Sequence, residues 1–292
     1  MELEAIGGAA SLAVLGSAAF ALTARAWIAL GRNRVSRPPL SHLLLPEPAQ
    51  RFRDEFELLG SKQSALLASA LAFAVLFTFA LLSGASRILT GADPWLLATV
   101  AAIVVAGITW ALYRLVRIGL RRRRLAFRRN ANIAVGQALQ KVTGSLNRAF
   151  HEVECANEIV DHVLVGQKGA YAIFVIARLP GKSNTVRVRD SRLWFAGGKP
   201  LTLDRFARTA DRLAGLFRQT VDKSVRVRTV LVVPGWEIQE QSGEDLLVVN
   251  ERSLVMLRGW ADRNEYLMNE DVESLHEFLG ERSFRRSRRP KS

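Results

Sequence analysis

The feature that most constrains this chain is a run of 24 residues without a charged side chain, from Gln63 to Ser86. Its apolar centre reads ALLASALAFAVLFTFALL. As a helix rising about 1.5 Å per residue, such a run is long enough to cross about 30 Å of hydrocarbon. We therefore predict a transmembrane helix over residues 64–84.

Two other uncharged stretches predict further spans. Residues 94–113 carry aromatic side chains at both ends, where such rings favour the membrane interface. Residues 6–24 are richer in Gly, Ala and Ser; the alternative of a cleaved signal peptide is disfavoured because the chain opens with MELE instead of basic residues. Residues 1–113 are thus predicted to be a membrane part with three helices. None of them contains a charged residue, so nothing indicates a transporter or channel.

The chain has a net charge of +14, and the excess of basic residues lies outside residues 131–280. The loop 25–62 has seven Lys or Arg and the loop 83–93 has one, which predicts a multi-pass cell-membrane protein with its N-terminus outside and its C-terminal domain in the cytoplasm. The juxtamembrane segment 114–130 has eight arginines and no acid. Four of them are expected to face anionic lipid head groups of the bilayer, namely Arg121, Arg122, Arg123 and Arg124.

Residues 131–280 are neutral overall and show the pattern of an α/β domain. Apolar spacing predicts an amphipathic helix over 135–150, and the runs at 159–165 and 170–177 predict a β-hairpin. Further predicted elements are strands at 185–190, 227–233 and 245–250, a hairpin at 192–200, and helices at 203–221 and 269–280. The basic residues 281–292 are expected to form a disordered tail.

The string EIVDHVLVGQKGAYAIFVIAR, followed by an exposed strand, a WFAGGKP turn, an alanine-rich helix and a VLVVP strand, resembles the nuclease-related (NERD) domain. This resemblance covers about residues 131–280. It implies a restriction-endonuclease-like fold, a mixed sheet flanked by helices. Domains of this family are often joined to membrane segments.

The resemblance also implies a metal-dependent site, with an aspartate on one strand and a Glu-x-Lys on the next. Asp161 matches the aspartate. Counted from Gly169, the Glu and Lys positions hold Phe174 and Ile176, and an assisting helix glutamate is replaced by Gln137. We therefore expect a catalytically inactive domain with no metal and no cofactor, in which Asp161 is vestigial and accepts hydrogen bonds at the start of its strand.

A displaced nuclease site is the alternative, and it would use Mg²⁺ or Mn²⁺. It would need a second carboxylate from Glu154, Glu158 or Asp190 and a base from Lys168 or Arg178. No metal site is evident otherwise, because Cys155 is the one cysteine and the four histidines lack metal-binding spacing.

The expected role is that of a binding or assembly module at the cytoplasmic membrane face, and the partner is a protein or nucleic acid. Candidate binding residues are arginines that fall on one side of a predicted helix or strand. They are Arg205, Arg208 and Arg212, with Arg187 and Arg189.

Overall fold

The computed structural model describes residues 47–80, 93–144, 146–155, 158–179, 183–240, 246–258 and 266–288. The chain divides into two compact units. Of the described residues, the first unit holds 54–80 and 93–125, and the second holds 47–53 together with those from 126 onward.

The first unit contains parts of two long helices, α1 (Gln50–Ala80) and α2 (Pro94–Gln140). Arginine side chains from α2 reach α1. Arg121 Nη2 lies 2.6 Å from Glu55 Oε1, and Arg122 Nη1 donates to Gln63 Oε1 at 2.6 Å. Two of the four arginines that we predicted to face lipid head groups therefore contact the neighbouring helix.

One helix among the described residues, over Ala102–Gln140, is long and apolar enough to cross a membrane, and none of its most apolar window is buried. It overlaps the predicted span 94–113. The predicted span 64–84 is helical as far as Ala80, where this stretch of described residues stops. The predicted span 6–24 lies outside the described residues. Of the three predicted spans, only 94–113 therefore overlaps a candidate membrane helix among the described residues.

The second unit is a mixed α/β structure with two mixed sheets, which confirms the predicted class at that level. The large sheet has the strand order β1-β2-β3-β7-β9, with the first two pairings antiparallel and the last two parallel. Its strands are β1 (Arg148–Cys155), β2 (Glu158–Gly166), β3 (Gly169–Val175), β7 (Val227–Val232) and β9 (Leu246–Val249).

The small sheet has the order β6-β5-β4-β8 and is mixed as well. Its strands are β4 (Thr185–Arg189), β5 (Arg192–Phe195), β6 (Leu201–Thr202) and β8 (Glu237–Glu240). The other elements are helix α3 (Asp204–Val221), a 3₁₀ helix (Ser253–Arg258) and helix α4 (Asn269–Arg288).

Apolar clusters cover both faces of the large sheet, because its strands alternate their side chains between the two faces. One face packs against α3 and α4, with Phe174, Leu231, Phe217 and Leu275 buried together. The other face packs against the end of α2 and the 3₁₀ helix, where the buried side chains include Val135, Leu139, Ile173, Val232 and Leu254. The sheet is therefore an interior layer, and polar side chains on it need partners within the protein.

Two predicted boundaries are wrong. The predicted helix 135–150 ends at Gln140, and its last residues belong instead to strand β1. The helical spacing continued through Phe150 only because that residue is buried from a strand. The predicted disordered tail also begins too early, since α4 continues to Arg288 with Ser283 fully buried and Arg282 donating to the Glu154 carbonyl at 3.1 Å.

Candidate functional site

Asp161 lies within β2, three residues after its first residue, and its carboxylate is held by the protein. Oδ2 accepts the backbone N–H of Val175 at 2.8 Å. The ladder between β2 and β3 has its last paired positions at His162 and Ile173, so the Asp161 side chain takes a backbone donor just beyond that point. This contact agrees with the expectation that Asp161 accepts hydrogen bonds. Asp161 lies inside the strand, however, and not at its start.

Glu152 is a second carboxylate beside Asp161, and sequence analysis did not single it out. The register of β1 and β2 places the two residues opposite each other, where the pairing is interrupted by the positive φ (54°) of Glu152. The Glu152 side chain accepts the backbone N–H of Arg51 through both oxygens, at 2.9 and 3.1 Å. Because that amide belongs to the first turn of α1, Glu152 caps the helix where unpaired N–H groups and the helix dipole favour an anion.

Arg51 connects the two carboxylates. Its backbone binds Glu152, and its Nη2 lies 3.5 Å from Asp161 Oδ1. The guanidinium also stacks over the Phe52 ring, with 4.4 Å from Cζ to the centroid. A guanidinium stays charged at any physiological pH and has donors only. The two acids therefore face a cation that the chain itself supplies.

The approach of residues 47–53 to this site requires Gly136. A Cβ at that position would lie 2.6 Å from Pro48 Cγ. Only a residue without a side chain lets Pro48 pack so closely on the end of α2.

A histidine pair, half-buried at His151 and fully buried at His162, lies next to the two acids on the same strands. His151 and His162 are opposite each other on β1 and β2, with 2.7 Å between their Nδ1 atoms and their rings perpendicular. One imidazole must donate and the other accept, so the accepting ring is neutral. His162 is fully buried, and its Nε2 has no partner among the described residues. Among the described residues, the hydrogen bond of the His162 ring is therefore to His151.

Burial lowers the pKa of both histidines. Loss of solvation lowers the pKa of His151 to about 4. The pKa of His162 lies well below its usual value because of burial first and the neighbouring His151 second.

Phe174 and Ile176 occupy the positions where the family resemblance places Glu and Lys. Extending the β2–β3 register by one step puts Phe174 opposite Asp161. Its side chain is 5% exposed, and its ring lies 4.9 Å from that of Phe206 on α3. Ile176 packs partly buried against the same cluster. These side chains offer no oxygen or amine to a metal or a phosphate.

Two of the side chains that a displaced nuclease site would need, Glu158 and Arg178, are bonded elsewhere, and a third is exposed. Glu158 accepts the hydroxyl of Thr209 on α3. Arg178 donates to the Lys199 carbonyl at 2.8 Å and stacks over Phe195. Asp190 is exposed in the β4–β5 turn. Among the described residues no three His, Cys, Asp or Glu side chains form a group that could hold a metal ion.

A cavity of about 290 Å³ lies at the β2–β3 turn, lined by Asn147, Lys168 and Tyr171 among others. It opens beside the face of the sheet that packs on α2, because Tyr171 belongs to that apolar cluster. Phe174 faces the other way. Lys168 therefore lines a cavity beside the face of the sheet opposite to that of Phe174.

The arginines predicted to bind a partner lie on two surfaces. Arg205, Arg208 and Arg212 are exposed along α3. Arg187 and Arg189 are exposed on the small sheet. The two groups therefore come from different elements. Arg187 is directly opposite Trp194 on β5, which sequence analysis did not include among the candidate binding residues.

The fold and site therefore define a mixed α/β domain with an arginine-bridged pair of carboxylates. Comparison of the chain with known protein families, with curated proteins and with solved structures finds no match.

We expect Asp161→Ala to lower the free energy of unfolding by about 1–3 kcal/mol, because it leaves the Val175 N–H without its acceptor. Asp161→Asn retains an oxygen acceptor and should cost less. The matched control is Asp190→Asn, an exposed aspartate for which the change should stay within about 0.5 kcal/mol. Denaturant unfolding of the full chain in detergent measures all three, and equal values for Asp161→Ala and the control would contradict the structural role.

The histidine pair predicts a loss of stability in acid. The pKa of each imidazole is lower in the folded state, so below about pH 6.5 the unfolded chain binds more protons. The free energy of unfolding should therefore fall as pH drops from about 6.5 through about 4, by at most about 1.4 kcal/mol per pH unit for each imidazole. His151→Gln should have a shallower dependence than the wild type. Superimposable pH profiles would show that the pair does not titrate as described.

Proposed function

We propose that this protein is a membrane-anchored, nuclease-related module that does not cut nucleic acid and that binds a partner at the cytoplasmic face of the membrane. The observation that carries the proposal is the environment of Phe174. Its ring packs against Phe206 directly across from Asp161, where a metal-dependent nuclease of the related type would need a carboxylate. The strand order and the crossover from β3 to β7 are consistent with the proposed relationship.

The donor set around Asp161 does not fit a divalent cation. Hard cations such as Mg²⁺ and Mn²⁺ need several oxygen ligands in a defined geometry. Asp161 and Glu152 supply carboxylates, but the amide of Arg51 binds one and its guanidinium lies against the other. A metal would have to displace both contacts and uncap α1.

A displaced nuclease site remains the second candidate, and one observation favours it. Glu152 lies opposite Asp161 in the β1–β2 register, so two acids are adjacent even though the Glu-x-Lys is absent. This candidate requires that Arg51 move away when nucleic acid or metal binds. The inactive module requires no such movement.

Exposed apolar side chains on α2 support the membrane anchor. Ile103, Val105 and Ile108 are between 52% and 66% exposed, and the aromatic Trp110 and Tyr113 that follow are exposed to a similar degree. A helix with such a surface is stable when hydrocarbon covers it. The exposed arginines that follow on α2, among them Arg123 and Arg124, suit the cytoplasmic head-group region.

Catalytic inactivity is tested with the full-length protein in detergent, incubated with Mg²⁺ or Mn²⁺ and with single-stranded DNA, duplex DNA or RNA. We expect no cleavage, because Phe174 and Ile176 supply neither a metal ligand nor a base. Asp161→Asn and Glu152→Gln are the matched variants. Cleavage that requires metal and disappears in Asp161→Asn, at an unchanged melting temperature, would refute inactivity and support the displaced site.

Topology is tested with reporters fused to each end of the chain in a bacterial host. A reporter after Ser292 should be cytoplasmic and one before Met1 external, since the basic loop 25–62 and the arginines after residue 113 favour the same side. Reporters on the same side of the membrane would mean that an even number of helices crosses it, and the three-span arrangement would be wrong.

A further inference from the structure

The small sheet has one buried face and one exposed face, as expected from the alternation of side chains along a strand. Val186, Val188, Leu193 and Phe195 point into the core. The residues between them are exposed on the opposite face. We call that surface the arginine–tryptophan face, and it consists of Arg187, Arg189, Arg192 and Trp194.

Trp194 is held in a fixed place on this face. It is directly opposite Arg187 in the β4–β5 register. Its indole Nε1 donates to the carbonyl of Arg189 at 3.4 Å, while 43% of the side chain remains exposed. The apolar surface of an exposed tryptophan does not contribute to stability, whereas a flat partner stacked on the indole ring would bury that surface.

The side-chain contacts of two arginines of the face are weak or neutral, and its charges are close to one another. Arg189 and Arg192 are directly opposite each other, and like charges in that position destabilise a strand pair. Arg189 Nε lies 3.8 Å from Asp190 Oδ2 in a pair about four-fifths exposed, where attraction is weak. On the other side of β4, Glu240 of β8 is the register partner of Arg187. Arg187 donates its Nε–H to Gln239 Oε1 at 2.9 Å, a neutral partner that orients the guanidinium without cancelling its charge.

The turn between β4 and β5 keeps these side chains together. Asp190 and Ser191 both have positive φ, 51° and 53°, as a two-residue hairpin turn with the right twist requires. So short a turn fixes the register. The spacing of the arginines and Trp194 therefore does not depend on a partner.

We propose that the arginine–tryptophan face binds single-stranded nucleic acid, with a base stacked on Trp194 and phosphates bound by Arg187, Arg189 and Arg192. Aromatic side chains beside guanidinium groups bind single strands in this way, whereas a duplex offers no free base face to a ring on a sheet. A lipid surface is the less suitable partner, because the face has one apolar side chain among polar ones and therefore little area to insert.

This inference rests on the binding half of the proposed function and supplies the class of partner. It is separate from the Asp161 site, since it uses only the small sheet. The arginines of α3 differ from it because Asp204 and Asp211 are interspersed among them in the sequence. Those arginines provide a charge-matched control on the same domain.

The test is fluorescence anisotropy of the full-length protein in non-ionic detergent with EDTA, using labelled oligothymidine of about 20 nucleotides, longer than the site of one such surface. We expect Trp194→Ala to weaken binding by about 5- to 150-fold and Trp194→Phe to weaken it much less. Replacing Arg187, Arg189 and Arg192 by Gln should lower the slope of log affinity against log salt by about 2. The same change at Arg205, Arg208 and Arg212 should leave the slope unaltered.

Three results would overturn the inference. They are absence of oligothymidine binding by the wild type, unchanged affinity in Trp194→Ala, and an equal loss in the α3 control. Calorimetric binding of a short-chain phosphatidylglycerol that needs Trp194, with no oligothymidine bound, would assign the face to lipid head groups instead. Cleavage of the oligonucleotide after addition of Mg²⁺ would refute the inactive module but not the binding face, so the two proposals fail separately.

Discussion

The contact between the Arg51 amide and the Glu152 carboxylate fixes how the rest of the site is arranged. It attaches the first turn of α1 to β1 and brings the Arg51 guanidinium to Asp161. The close packing of Pro48 on Gly136 depends on the same placement of the segment 47–53. One helix cap thus determines which charges the two acids meet.

The charge balance of the site differs from that of a metal centre. Arg51 contributes a single positive charge to two carboxylates, Glu152 and Asp161, and its guanidinium does not lose its proton. Directly across from Asp161, Phe174 packs on Phe206 and closes the sheet surface with hydrocarbon. The carboxylates of the site therefore contact backbone and side-chain groups of the protein itself. The small sheet differs in this respect, since Arg189 has an exposed ion pair with Asp190 and Arg187 a neutral partner in Gln239.

Local patterns in the sequence were sufficient for much of the domain. The strands β2 and β3, helix α3 and the start of α4 were predicted because each buries its apolar side chains at a regular spacing. The environment of Phe174 followed from counting along β3. Strand β1 was missed because Phe150 continued a helical spacing from α2, and without β1 the opposition of Glu152 and Asp161 could not be seen. Arg51 was interpreted from charge alone, since nothing local indicates a partner so distant in sequence. Trp194 lay in a predicted hairpin, but its neighbours across the strand depend on a register that sequence does not specify.

The cap on α1 also sets an order of events during synthesis. The Arg51 amide and its Glu152 acceptor are 101 residues apart in the chain. Ribosomes add about 5–20 residues per second, so about 5–20 s separate the synthesis of the two residues. Throughout that interval the Arg51 amide lacks its Glu152 acceptor, although the apolar residues that follow in α1 have already been synthesised. In the membrane-anchored arrangement that we propose, residues 64–84 are synthesised before the domain that holds the start of the helix.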